Sequence, residues 1–195
     1  MNNWNFRTAG IPDSEFIRGE IPMTKEEVRA VSLAKLRLKE DSIVYDIGAG
    51  TGSLTIETAL LSSKGRVYSI ERQAEGIQLI KSNTDKFKVS NVEIIKGSAP
   101  EALLDLPEVD RVFIGGSGGK LIDILDEIDK KLKTKGRVVI NAITLNTLNA
   151  SINKLKKLNY EFEICNIAVT RTRKVGDYQM LQGLNPVYII SGEKG

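Results

Sequence analysis

The sequence predicts an α/β fold: a seven-stranded, mostly parallel sheet with an antiparallel last strand and helices on both faces. Three observations predict it. From Ile43 onward, short apolar runs alternate with helical periodicity, the pattern of right-handed βαβ units. The first run feeds directly into three alternating glycines, Gly48, Gly50 and Gly52, and then into a helical pattern. The last two runs, 160–169 and 186–191, are joined without a helix and should be antiparallel neighbours at one edge.

At 195 residues the chain is sized for one domain whose core hides roughly 70% of the unfolded surface. That domain, 1–195, divides into an irregular segment at 1–23, a capped helix at 24–39 and a core at 43–192. With 41% hydrophobic and 27% charged residues, the composition is that of an ordinary globular protein. No apolar run approaches the roughly 20 residues of a membrane helix. Met1 to Asn5 do not read as the start of a secretory signal, so a cytoplasmic location without a membrane partner is expected. One cysteine, Cys165, and no histidine leave no intramolecular disulfide and no zinc site, and no metal is expected. Proton transfer near neutral pH must then fall to a carboxylate, Tyr, Lys, Cys, the substrate or water, which excludes a Ser-His-Asp hydrolase. The net charge of +3 is too mild to select nucleic acid as a partner.

The opening segment has turn signals at Gly10-Ile11-Pro12-Asp13 and Gly19-Glu20-Ile21-Pro22, with Trp4, Phe6 and Phe16 as packing anchors. Thr24-Lys25-Glu26-Glu27 reads as a capping box with Thr24 as N-cap. Val28, Val31, Ala34 and Leu38 then form a buried stripe, leaving Lys25, Glu26, Arg29 and Lys39 to solvent. Strands follow at 43–47, 66–71 and 92–96, separated by helices at 53–62 and 73–87. A fourth strand, 111–114, runs into Gly115-Gly116-Ser117-Gly118-Gly119. The amphipathic helix at 120–132 carries Leu121, Ile124, Leu125, Ile128 and Leu132. Strand five, 137–142, is continuously apolar, as a buried parallel strand should be. A helix at 146–158 leads to strand six, where Cys165 is expected to be a buried core residue. The connection from Thr170 to Asn185 exceeds ordinary loop length and reads as a binding or assembly loop, with 170–178 expected to contact substrate or a neighbouring subunit.

Ligands of open parallel sheets sit beyond the carboxyl ends of the strands. Those ends supply Gly48 to Gly52, Glu71, Ser98 and Ala99, the 115–119 turn and Asn141. Alternating glycines permit φ > 0 and close backbone approach, and the helix from Ser53 brings free N–H groups and a positive dipole end to the same place. Their relative positions, one, three and five, depart from the one, three and six of the dinucleotide fingerprint. Glu71, closing the second strand, stands where a carboxylate can accept hydrogen bonds from a ribose diol.

These residues resemble the class I S-adenosylmethionine methyltransferases, a Rossmann-like group. Their first motif reads like Asp46-Ile47-Gly48-Ala49-Gly50-Thr51-Gly52, and their second strand ends in an acid like Glu71. The resemblance implies S-adenosylmethionine as cofactor and S-adenosylhomocysteine as its product, bordered by Gly48, Ala49, Gly50, Thr51, Gly52, Glu71, Ser98 and Ala99. Many members carry an acid where Ser98 stands, so adenine recognition would rest on the Ser98 hydroxyl or a backbone N–H. The strand-four turn lacks the Asp/Asn-Pro-Pro-Tyr pattern of nucleobase amine methyltransferases, and its glycines open space for a large flat substrate.

More specifically, Gly10 to Gly19, Pro22 to Arg29, Phe113 to Gly119, Asn141 to Leu145 and Leu184 to Val187 closely resemble the CbiT family, cobalt-precorrin decarboxylating methyltransferases of cobalamin biosynthesis. The resemblance spans about Gly10 to Ser191. It implies methylation of a corrinoid precursor at the position 15 meso carbon with loss of carbon dioxide from the ring C acetate. It also implies that Thr24 lies at the S-adenosylmethionine site and that the assembly is a homotetramer. The substrate side would then involve Gly115, Gly116, Ser117, Gly118 and Asn141. Arg7, Arg18, Arg171, Arg173 and Lys174 are the cations available to a polycarboxylate rim. No catalytic residue stands out. Two other readings stay open: a tRNA methyltransferase, favoured by the basic balance, and a non-catalytic nucleotide-binding regulator.

Overall fold

The structure is a computed structural model and describes residues 4, 6 and 8–195. In chain order its elements begin with α1 (Glu26–Leu36), β1 (Ile43–Ile47), α2 (Ser53–Leu61), β2 (Arg66–Glu71), α3 (Ala74–Phe87), β3 (Val92–Lys96) and β4 (Val109–Ile114). They continue through α4 (Leu121–Lys131), β5 (Leu132–Ala142), α5 (Leu145–Lys157), β6 (Glu161–Ile167), β7 (Thr170–Val175), β8 (Tyr178–Gly183) and β9 (Val187–Glu193). Seven strands form one sheet in the order β3-β2-β1-β4-β5-β9-β6. The neighbours from β3 to β5 are parallel, and β9 runs antiparallel between β5 and β6, with β6 at the edge as expected. Strand order reverses between β1 and β4. There two adjacent loops leave the sheet in opposite directions and open a crevice.

Alternation along each strand sends side chains to opposite faces. Tyr45, Ile47, Val112, Ile114, Val138 and Ile140 join α4 and Leu155 of α5 in the largest core cluster. Leu121, Ile124, Leu125 and Ile128 each bury all but 5% or less of their surface in it. At about 1.5–3 kcal/mol per buried side chain, that stripe explains why the helix forms where its periodicity predicts it. On the other face Phe113, Val139 and Ile189 meet α1 and Leu54 of α2, while Val44 and Val67 meet Ala59.

The start of α1 departs from expectation. The helix begins at Glu26, Lys25 is the N-cap, and no side chain caps it. Tertiary partners recruit the groups a capping box would need. The Thr24 carbonyl accepts from Arg29 Nη1 at 2.5 Å, Glu26 Oε2 accepts from the Asp13 N–H at 3.3 Å, and both Glu27 oxygens accept from Arg171. Arg29, assigned to solvent by periodicity, is fully buried. It donates to Glu57 at 2.5 Å, to Asp13 at 3.2 Å and to the Ile11 carbonyl, and lies 4.8 Å above the Phe16 ring. Acids distant in sequence turn a surface position into an internal ionic one.

Phe16 is a buried anchor and Trp4 a half-buried one, but Phe6 is 69% exposed. Cys165 is half-buried rather than internal, because β6 is the sheet edge. The largest difference is 170–185, which forms a hairpin instead of an irregular loop. Among the described residues, strands β7 and β8 pair only with each other, and Gly176 at φ +58° makes the turn.

Candidate active site

Beyond Ile47 the backbone turns through Gly48, Gly50 and Gly52 at φ +72°, +57° and +76°, where an L side chain is strained. A Cβ on Gly48 would lie 2.6 Å from the Gly116 carbonyl oxygen, so the turns after β1 and β4 touch backbone to backbone. Gly52 is the N-cap of α2, whose first N–H groups have no intrahelical acceptors. Thr51 and Gly52 sit beneath the turn and line neither cleft described below. The Thr51 carbonyl accepts from Asn83 Nδ2 at 2.9 Å, and a Cβ on Gly52 would meet Ile80 at 3.0 Å.

Two clefts, each of about 240 Å³, open on either side of Gly48. The first gathers Gly50, Glu71, Ser98 and Ala99, expected on the cofactor side, with Gly116, Ser117 and Gly118, expected on the substrate side, and with Arg72, Gln73 and Lys120, which were not expected at either. Glu71 is its most constrained member and is 6% exposed. Its Oε2 accepts from the Gly50 N–H at 2.8 Å, and its Oε1 accepts from the Arg72 and Gln73 N–H groups, both at 2.8 Å. The carboxylate therefore ties the glycine turn to the β2–α3 turn. Gly76 makes room for it, since a Cβ there would sit 2.7 Å from Glu71 Cγ. A carboxylate offers about four acceptor positions. Three are spent, which leaves one on Oε2 for a ligand hydroxyl.

The second cleft gathers Thr24, Ala49, Gly115 and Asn141 against apolar walls that include Val28, Leu54 and Phe113. Asn141 Oδ1 lies 3.1 Å from the Ser32 hydroxyl, so its amide nitrogen is the end left for the cleft. Asp46, the last-but-one residue of β1, forms the floor at 1% exposure. Its Oδ2 accepts from the Thr55 hydroxyl at 2.5 Å, while Oδ1 has no partner among the described residues. Burial, opposed by the Thr55 hydrogen bond and assisted by the Glu71 charge, raises its pKa to about 7. The residue stands two positions before Gly48, the first glycine of the turn. Its position at a buried strand end was the signal that could have singled it out.

Arg18, Arg171, Arg173 and Lys174 line neither cleft, and Arg7 lies outside the described residues. Arg171 is instead engaged within the protein. Its Nε and Nη2 donate to the two Glu27 oxygens at 2.8 and 2.6 Å, and its Nη1 donates to Asp13 at 3.1 Å. The bond holds the Glu27 carboxyl below its usual range. Asp13 bridges Arg171 to the buried Arg29, so the hairpin is fastened to α1 and the opening segment. Val169 and Leu184, at the hairpin base, line the second cleft.

A parallel sheet that reverses between β1 and β4, a three-glycine turn at that point and a carboxylate closing β2 define the class I methyltransferase fold. Residues 15–194 match the precorrin methyltransferase domain, and the chain belongs to that family. A relative from Sulfurisphaera tokodaii, named "probable cobalt-precorrin-6B C(15)-methyltransferase (decarboxylating)", is 45% identical over 96% of this chain and 99% of its own. The solved precorrin-6y C5,15-methyltransferase from Geobacter metallireducens superposes with a TM-score of 0.91 at 44% identity, covering 95% of this chain and 98% of its own. The precorrin 8w decarboxylase from Methanobacterium thermoautotrophicum gives 0.88 at 35% identity, covering 93% and 98%. The chain is thus an enzyme of methyl transfer, and S-adenosylmethionine-dependent chemistry goes with its class.

Proposed function

We propose that this enzyme methylates a cobalt-precorrin at the position 15 meso carbon and releases the ring C acetate as carbon dioxide, within anaerobic cobalamin biosynthesis. The observation that carries the reading is the pair of clefts meeting at Gly48, one bordered by the glycine turn and Glu71, the other apolar and extending to the hairpin base. The first fits the nucleoside of S-adenosylmethionine: Glu71 keeps one acceptor for a ribose hydroxyl, and Ser98 and Ala99 border the adenine. The orphaned Asp46 Oδ1, beside Ala49 and Thr24, fits the polar end of the amino acid part. When bound, this cofactor supplies an activated methyl group.

The protein's own residues position and shield. The N–H groups of Gly48, Ala49, Gly50 and Gly52 are donated within the protein, so the first N–H groups of α2, at Ser53 and Leu54 beside the second cleft, would hold the donor, and in-line positioning alone supplies several kcal/mol. Leu54, Phe113 and Val28 keep water from the second cleft. A less polar surrounding favours a reaction in which a carboxylate loses its charge. The electron pair released as the acetate C–C bond breaks enters the conjugated macrocycle, which acts as the sink. No histidine is needed.

Of the exposed apolar side chains of the hairpin, Val175, Tyr178 and Met180 share one face and Leu181 stands on the other, and a second copy of the chain would cover them in a homotetramer. A cytoplasmic enzyme without nucleic acid or membrane partners completes the reading. It is tested by anaerobic incubation with S-adenosylmethionine and cobalt-precorrin-6B. Stoichiometric S-adenosylhomocysteine and carbon dioxide, with a product that has gained CH2 and lost CO2, are expected. Methylation of tRNA instead, or no turnover with the corrinoid, would overturn it.

A further inference from the structure

Among the described residues, Lys25 is the one cation on the wall of the second cleft. Its backbone is fixed by the start of α1, where its carbonyl accepts from the Arg29 N–H at 2.8 Å. Its side chain is half-buried, and its ammonium has no hydrogen-bond or ion-pair partner among the described residues. The charges around it are spent elsewhere: Glu27 on Arg171, Arg29 on Glu57 and Asp13, and Glu26 on the Asp13 N–H. The other ionisable group lining the cleft, Asp46, lies on the floor and is bonded to Thr55. A lysine before the first turn of a helix also faces the positive end of the helix dipole, where an acid is the favourable choice. A local rule is broken at the mouth of a ligand cleft with no compensating contact inside the protein.

We propose that Lys25 binds a carboxylate of the macrocyclic substrate, and specifically one that the reaction retains. The inference deepens the corrinoid reading and rests on it. A cation paired with the departing acetate would stabilise the charged ground state, and that stabilisation would vanish as carbon dioxide forms. Paired with a retained acetate or propionate, the same contact persists through the reaction and orients the ring over the first cleft. Such uniform binding acts on KM and leaves kcat alone. Lys25 thereby takes the role for which the sequence offered Arg171 and Arg173, the first of which is engaged with Glu27 and Asp13 and neither of which lines the cleft.

The test uses the full chain, Lys25→Met and Lys25→Arg. Two quantities are measured: steady-state turnover of cobalt-precorrin-6B at saturating S-adenosylmethionine, and equilibrium binding of cobyrinic acid, a corrin polycarboxylate, in the presence of S-adenosylhomocysteine. For Lys25→Met the corrinoid KM and the cobyrinic acid Kd are expected to rise about 10-fold, the worth of one charge-assisted hydrogen bond, with kcat unchanged within about twofold. Lys25→Arg should restore most of the loss, and S-adenosylhomocysteine affinity should not move in either variant. A fall in kcat at constant KM would overturn the proposal, because it would mark a proton donor or a contact to the departing acetate. Unchanged KM and Kd would overturn it as well. A wild-type protein that neither turns over nor binds the corrins defeats the function reading together with this one; normal wild-type turnover with undiminished binding by Lys25→Met defeats this one alone.

Discussion

Replacing Glu71 by Gln tests the donor cleft where its geometry is most explicit. The wild-type carboxylate accepts three backbone N–H groups, from Gly50, Arg72 and Gln73. A glutamine keeps one oxygen, which can stay with Arg72 and Gln73, but it turns an NH2 toward the Gly50 N–H. That substitution loses one charge-assisted hydrogen bond, worth about 1.5–3 kcal/mol, and sets two donors face to face at a nearly dry site. The melting temperature should fall by about 4–12 °C for about 2–3 kcal/mol in a chain of 195 residues. Affinity for S-adenosylhomocysteine, read by calorimetry, should fall about 10- to 100-fold, since the Gly50 backbone and the ribose acceptor are both disturbed. A ligand arm separates the two causes. With one acceptor position left on Oε2, deleting one ribose hydroxyl should cost wild type about 10-fold and the other little, while Glu71→Gln should be indifferent to both deletions. Wild-type affinity that ignores both hydroxyls would refute the ribose contact, and an unchanged affinity in Glu71→Gln would remove the residue from the site.

Asp46 has a folded pKa raised from 3.8 to about 7, so its protonated form carries the stability that is full below the lower value and lost as pH rises toward the upper one. Asp46→Asn lacks that slope and should gain on wild type by about 2–3 kcal/mol between pH 5 and pH 8; parallel melting curves across that range would refute the shift. Arg171→Met should cost about 1 kcal/mol after solvent screening and raise amide exchange in β7 and β8 while leaving the main sheet protected. Because Glu27 is held below its usual 4.5, the clasp's contribution is present above that pH and fades as acid approaches the lowered value, so hairpin exchange in wild type should rise only below about pH 4.5. Gly48→Ala combines a strained φ with a backbone clash and should cost about 2–5 kcal/mol and abolish S-adenosylhomocysteine binding; a variant that binds normally would refute the tight contact between the two glycine turns.

The main sheet was legible because its inner strands are largely buried or end in turns with their own chemistry, the exposed edge strand β6 being the exception. Ile43 to Gly52, Val67 to Glu71 and Leu121 to Ile128 carry their structure in local pattern alone. The first cleft was legible for a related reason: Gly48, Gly50 and Glu71, which line it, follow strand ends at fixed spacing. What escaped depends on partners far away in the chain. Thr24 lost its cap role, and Arg29 its solvent, to acids at positions 13, 27 and 57 and to Arg171, none of which periodicity can see. The hairpin did carry a local signal, Gly176-Asp177 between short strand-length runs. Its charged β7, Thr170-Arg171-Thr172-Arg173-Lys174-Val175, masked it.

The wall between the two clefts is the bare backbone of the turns after β1 and β4, meeting at Gly48 and Gly116. Ile21, Pro22 and the turns after β1 to β4 supply most of the wall of the first chamber, whereas much of the second comes from Met23, Thr24, Lys25, Leu184, Asn185 and Val187, chain that lies outside those strands and does not line the first. Heredity can therefore rewrite one chamber without editing the other. A descendant that exchanged Lys25, Leu184 or Asn185 would face a new acceptor molecule with the inherited donor machinery still in place, so substrate change in this architecture is cheap at its rim and forbidden at its partition.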